Sequence, residues 1–394
     1  MDVRRHFGTG LLLAPLVLFL LFTLVLPVVL IFLESVRDTD VRRVFPRTIE
    51  LLQHWDRAAP VPPVFFDALA EDAAAAPASI RGRAANRLNI EMPGARGLVL
   101  AGMRALEAPE LDDARSVLVM LDPRWGEADI WRAIWNARGP WTTQFLLAAL
   151  DLKRTQSGSI AVEEHGLYRS IFIRTFSIAS SVTALCLVLG LPVAVYLASL
   201  PLRQAAPLLL LLMLPLWTSV LVRAMAWILL LQNSGFVNQA LVTLNIIDAP
   251  IQLVFNRFGV LIAMTHVLLP FMILAIYNVM RGIPRNQLRA AGSLGATPFV
   301  VFRRIYLPQC RSGIAAGCLL VFASGSGYYV TPALVGGGGD QMLGTFVELA
   351  ALRYSNQFLA AALGVVFMVL FLSAIAALFA WLRPMRGATA RLGA

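Results

Sequence analysis

The chain has 394 residues, of which 58% are hydrophobic and 14% charged, and it carries a formal net charge of +10. That balance excludes an ordinary water-soluble globular protein, because too little polar surface remains to cover so much apolar mass. Nor is the positive charge a nucleic-acid footprint: Glu34–Tyr168 holds 16 basic against 19 acidic residues, and the excess lies outside it, among the apolar runs.

Six runs are long and apolar enough to cross about 30 Å of hydrocarbon at 1.5 Å per residue. They are Leu11–Leu33, Thr175–Leu200, Ala205–Leu231, Gly259–Met280, Ser312–Val330 and Phe358–Leu382, and only the third contains a charge, Arg223. The expected fold class is therefore an all-α polytopic membrane protein with six transmembrane helices. The first run follows Arg4, Arg5 and His6. It is about twice as long as the apolar stretch of a signal peptide and ends in FLESVRD without a small-residue cleavage site, so it reads as a retained span.

After it the composition changes. Residues 34–168 are dense in charge, cluster prolines and hold five of the eight tryptophans: Trp55, Trp125, Trp131, Trp135 and Trp141. The segment is large enough for a domain with its own core. In EADIWRAIWNAR, residues Ile130, Trp131, Ile134 and Trp135 fall on one helical stripe. The expectation is a mostly helical insertion in which that stripe is core packing. The expected organisation is 1–33 as N-terminal tip and first span, 34–168 as the insertion, 169–383 as a five-helix core, and 384–394 as a tail.

Arginine placement sets the expected orientation. With the N-terminus inside, the inner segments hold Arg203, Arg281, Arg285, Arg289, Arg303, Arg304, Arg311, Arg383, Arg386 and Arg391, whereas the short outer segments hold only Arg257 and Arg353. Both termini and the segment 285–308 are expected in the cytoplasm, close to anionic membrane lipid, with 34–168 on the outer side, which the resemblance given below implies is the periplasm. Cys186 and Cys318 lie inside spans and Cys310 at the end of one; the four histidines have no metal-ligand spacing. No phosphate-binding loop, nucleophile elbow, HExxH or paired carboxylate is present. The expectation is no catalysis, no metal and no cofactor.

Between the fourth and fifth runs stands RAAGSLGATPFVVFRRIYLP, residues 289–308. A short helix over Gln287–Leu294 ends at Gly295, Thr297 can cap a second helix, and Pro298 suits its first position. Phe299, Phe302 and Tyr306 are spaced to share a face of that helix. Such a helix pair suits docking to another protein or lying on headgroups, and the pattern fits both.

This stretch resembles the EAA loop of binding-protein-dependent ABC importer permeases: E-A-A, three residues, G, nine residues, I-x-L-P. Ala290, Ala291, Gly295, Ile305, Leu307 and Pro308 fall in register, while Arg289 stands in place of the family's glutamate. The third run, LPLWTSVLVRAMAW, and the later YVTPALVGG are similar to the spermidine/putrescine permease branch. The resemblance covers about Ile171–Leu382 and does not reach the insertion.

It implies a permease subunit that forms half of a membrane pathway and pairs with an identical or homologous permease. It further implies a periplasmic binding protein as donor, an ABC ATPase dimer as motor, and a polyamine as cargo. Ferric iron, phosphonate and opine importers of related sequence stay open as alternatives, as does a membrane-anchored receptor using 34–168. The implied ATPase-coupling loop contains Arg289, Ala290, Ala291, Gly295, Phe299, Phe302, Ile305, Leu307 and Pro308. For the pathway, the aromatic faces of Trp217, Trp227, Tyr328 and Tyr329 and the outer Asp340 are candidates, since a polyamine is held by carboxylates or cation–π contact.

Overall fold

The computed structural model describes residues 14–57, 59–107, 113–154, 159–163 and 166–382; the N-terminal basic cluster Arg4–His6 and the tail from Arg383 lie outside the described residues. The described chain is overwhelmingly helical. Five helices are long and apolar enough to cross a membrane: Ala14–Ser35, Tyr168–Ser199, Val220–Thr243, Arg257–Arg281 and Gln357–Ala377. A sixth arises from Pro298–Gln309 and Arg311–Ser326, bent by 60° at the break between them. The chain divides into two compact units, Met1–Gly166 with Val347–Ala394, and Leu167–Phe346.

The first unit begins with α1 (Ala14–Ser35), which carries a π turn at Leu21–Val25. The insertion follows as α2 (Asp40–Val44), α3 (Pro46–Leu52), α4 (Val64–Ala75), α5 (Ala78–Glu91), α6 (Ala95–Ala105), α7 (Ala114–Leu121), α8 (Ala128–Asn136) and α9 (Gln144–Ala149). A short antiparallel hairpin, β1 (Leu152–Arg154) with β2 (Ile160–Val162), closes it in the register Leu152↔Val162. The stripe on α8 does what its spacing predicts: Ile130, Trp131 and Ile134 are fully buried. The Trp131 indole Nε1 donates to the Trp125 carbonyl at 3.0 Å, and its ring meets Phe65 and Phe66 at 5.7 and 5.0 Å between centroids. A buried indole needs such an acceptor, since an unpaired N–H in an apolar core is costly. Trp135, at the edge, is covered by Arg138, whose guanidinium carbon sits 3.5 Å from the ring centroid.

Charge enters this core as well. Arg87 on α5 donates from Nε to Asp38 at 2.6 Å and from Nη2 to Glu91 at 2.9 Å, with Asp38 and Arg87 both buried. Burial pushes the Asp38 carboxyl up to about 6 against the opposing pull of Arg87. Asp40 is raised for the same reason, although Arg83 stands 3.7 Å away. The Arg87 guanidinium also lies 5.4 Å from the Phe145 ring on α9. Phe145 in turn meets Phe358 at 5.4 Å, on the last helix, α19 (Gln357–Leu382). Asn86 adds a hydrogen bond from Nδ2 to the Tyr354 carbonyl at 2.8 Å. The insertion thus shares its unit with both the first and the last span, and α1 and α19 pack on each other.

The second unit is built on α10 (Tyr168–Ser199), α14 (Arg257–Arg281) and α17 (Arg311–Ser326), which make its tightest packing. Cys186, Met264, Met272, Ile276 and Val321 fill its centre. Helices approach closely where α17 has no side chain: a Cβ on Gly317 would stand 2.7 Å from the Met272 sulfur. The small-xxx-small spacing of Gly313 and Gly317 is therefore used for contact.

One expected span is not continuous. The run Ala205–Leu231 divides into α11 (Leu202–Trp217) and α12 (Val220–Leu231), and the stretch long enough to cross a membrane is instead Val220–Thr243, in which α12 is followed, past an extended Gln232, by α13 (Phe236–Thr243). Thr218 and Ser219 are extended, with ψ of 147° and 141°. Pro215 lacks an N–H and crowds the preceding turn, which weakens the helix just before that point.

Candidate functional site

The loop between α14 and α17 opens with α15 (Arg285–Ser293). Gly295 then takes φ +86°, the left-handed conformation that most readily accepts glycine. The Ala296 amide donates back to the Ala291 carbonyl at 3.1 Å, closing the end of α15. Thr297 caps α16 (Pro298–Val301), its hydroxyl accepting from the Val300 amide at 3.4 Å, with Pro298 at the first position. A π turn at Phe302–Tyr306 and a last turn at Leu307–Gln309 complete the loop.

That π turn alters one expectation. Phe299, Phe302 and Tyr306 do not form one exposed aromatic face: Phe299 is 68% exposed, whereas Phe302 and Tyr306 are half-buried with rings 6.2 Å apart. The extra residue in the turn rotates its C-terminal side relative to its N-terminal side. Tyr306 packs on the bundle core, and a groove of about 620 Å³ runs beside it, lined by Ser199, Met280, Leu288, Gly292 and Phe302. Ala291 is buried, Ile305, Leu307 and Pro308 are half-buried, and Arg289, Ala290, Arg303 and Arg304 face outward. The exposed surface of the loop is therefore basic around two apolar tips, Leu294 and Phe299.

The other candidates gather less closely. Trp217 is 71% exposed at the end of α11. Trp227 donates from Nε1 to His266 Nδ1 at 3.4 Å, which assigns that nitrogen as an acceptor. Tyr328 packs on the bundle core, while Tyr329 stands at the start of α18 (Val330–Val335), its Cβ near Gly344. Asp340 is buried and holds Arg257 Nε at 2.7 Å, which pins the Gly336–Gly339 turn to the start of α14. It is an ion-paired carboxylate rather than a free one.

Residue order alone did not reveal the role of Arg223. Its guanidinium donates across the break to the Pro215 carbonyl, which also accepts from the Thr218 hydroxyl at 2.9 Å. A helix end in an apolar setting leaves carbonyls without partners, and these two donors supply one. The signal was Pro215 three and eight residues before two side-chain donors.

The family described as "Binding-protein-dependent transport system inner membrane component" matches residues 190–385. "Spermidine/putrescine transport system permease protein PotB" of Escherichia coli K12 is 35% identical over 187 residues, covering 48% of this chain and 68% of that protein. This chain belongs to that permease family. It is a multi-pass inner-membrane permease subunit of a binding-protein-dependent transport system and not an enzyme. The Haemophilus influenzae protein of the same name is 33% identical over 182 residues, covering 46% of this chain and 64% of that one. Among solved structures, a bacterial alginate ABC transporter in complex with an alginate pentasaccharide-bound periplasmic protein gives a TM-score of 0.48 at 15% identity, covering 56% of this chain and 80% of its own. The family match begins at Gly190, after the insertion.

Proposed function

We propose that the chain imports a polyamine of the spermidine/putrescine class, working with a second permease, a periplasmic binding protein and an ABC ATPase dimer. The observation that carries the cargo is the 35% identity to a permease named for those substrates. Arginine placement supports cytoplasmic termini and a periplasmic insertion. The insertion then serves as a docking surface for the binding protein or a roof over the pathway. Trp217, Trp227, Tyr328 and Tyr329 offer aromatic faces for ammonium groups on or beside helices α10–α14 and α17, which contain no acid.

Coupling in this reading runs through residues 285–308. Two short helices joined at Gly295 can follow the ATPase as one body, and the half-buried Tyr306 carries the motion into the bundle. The test is ATP-driven uptake of labelled spermidine by proteoliposomes containing the complex assembled with its cognate ATPase. Gly295→Pro should assemble and lose import, because proline cannot take φ +86°. Gly295→Asn, which tolerates that conformation, should keep most of it. A wild-type complex that is ATP-active but imports no spermidine rejects the cargo; full import by Gly295→Pro rejects the hinge.

A further inference from the structure

A groove of about 820 Å³ lies in the first unit where α1 ends and α19 begins. Its walls are Leu30 and Ile31 on α1 and Ala360, Ala361 and Gly364 on α19. A Cβ placed on Gly364 would meet nothing within 4 Å, so this wall faces open space. The polar end is different in kind. Glu34 and Arg37 stand there 3.5 Å apart, beside Trp141, which is 61% exposed.

The rim is held by backbone. Arg37 and Trp141 face each other in an antiparallel bridge, with the Asp38 amide donating to the Pro140 carbonyl at 2.9 Å and the Thr142 amide to the Val36 carbonyl at 2.7 Å. Both spans terminate at this level, where tryptophan and arginine sit among lipid headgroups. Below it the walls are apolar span residues, which water does not fill and hydrocarbon does. The two charges select the headgroup. Arg37 can take a phosphate through paired N–H donors, and Glu34 can accept from a primary ammonium. A purely anionic headgroup meets repulsion from Glu34, and a choline group has no N–H to donate to it.

We propose that this groove binds one aminophospholipid, its acyl chain between α1 and α19 and its zwitterionic headgroup spanning Glu34 and Arg37. The lipid seals the seam where the insertion joins its two spans.

Native mass spectrometry of the full-length chain tests this, after delipidation and titration with phosphatidylethanolamine, phosphatidylglycerol and phosphatidylcholine of matched chains. The expected result is one tightly held phosphatidylethanolamine per chain. Gly364→Leu fills the open slot and should lose that lipid. Glu34→Gln, at a partly exposed site that leaves the fold intact, should bind it roughly tenfold more weakly and no longer prefer it over phosphatidylglycerol. Leu372→Ala, on an exposed face of α19 outside the groove, should bind as the parent does. Equal affinity of the parent for the three lipids, or an unchanged lipid count in folded Gly364→Leu, overturns the proposal. An unaltered preference in Glu34→Gln overturns the headgroup assignment.

Discussion

In the insertion, Trp131 and Phe66 fill the centre and Arg87 is buried between the buried Asp38 and the partly exposed Glu91. In the α10–α14–α17 bundle, helices approach closely at Gly313 and Gly317, residues with no side chain at all. The difference follows the solvent. A domain folding in water gains by hiding large apolar groups, and it tolerates an internal charge only when that charge is paired. Helices already in lipid gain nothing by hiding leucine from leucine, so they associate by approaching closely enough for dispersion and backbone contact.

The sharpest way to break this contrast is at Arg87. Arg87→Ala leaves Asp38 and Glu91 without their cation and should cost about 3–5 kcal/mol. Urea unfolding of the full chain in micelles, followed by the insertion's tryptophan fluorescence, measures it. The double variant Asp38→Asn with Arg87→Met should recover much of that loss, because well-packed neutral residues often replace a buried pair without penalty. If Arg87→Ala alone is silent, the buried charge is not structural.

In the bundle the test is the reverse, the addition of bulk. Gly317→Leu drives a side chain into Met272 and should destabilise by about 1–3 kcal/mol through overpacking. The thermal midpoint of the purified chain should fall, and Gly317→Ala should fall less. Equal midpoints for all three would mean that α17 and α14 do not depend on close approach.

The smallest expected effect is on pH. The folded Asp38 carboxyl titrates at about 6, above its ordinary 3.8. Its contribution to stability is therefore complete below about pH 4 and lost as pH rises through 6. The insertion should be harder to unfold at about pH 5 than at about pH 7.5, by about 1 kcal/mol. Asp38→Asn should flatten that slope.

Features set by neighbours in sequence were legible before the structure. The turn at Gly295, the Thr297 cap and the burial of Ile130, Trp131 and Ile134 depend on residues within one or two helical turns. The pairing of Asp38 with Arg87 joins positions 49 apart, and no local pattern announces it. Grouping of the last span with the insertion is likewise tertiary, resting on contacts such as Phe145 with Phe358. The break at Thr218 was hidden for another reason. Hydropathy averages over a window, and Thr218 and Ser219 are too few to lower it, whereas the backbone responds to Pro215 and to the donors that satisfy its carbonyl.

The π turn at Phe302–Tyr306 acts as a vernier. Each residue in a helix advances its neighbours by about 100° around the axis, so one surplus residue sets the phase between the two ends of the 298–309 segment. Phe299 on one side of the turn and Tyr306 on the other are held in that offset. Deleting either Arg303 or Arg304 would regularise the helix and swing Phe299 by about that angle, with both rings and most of the charge retained. The angular relation between the exposed Phe299 and the core-packed Tyr306 can thus be changed independently of the residues themselves.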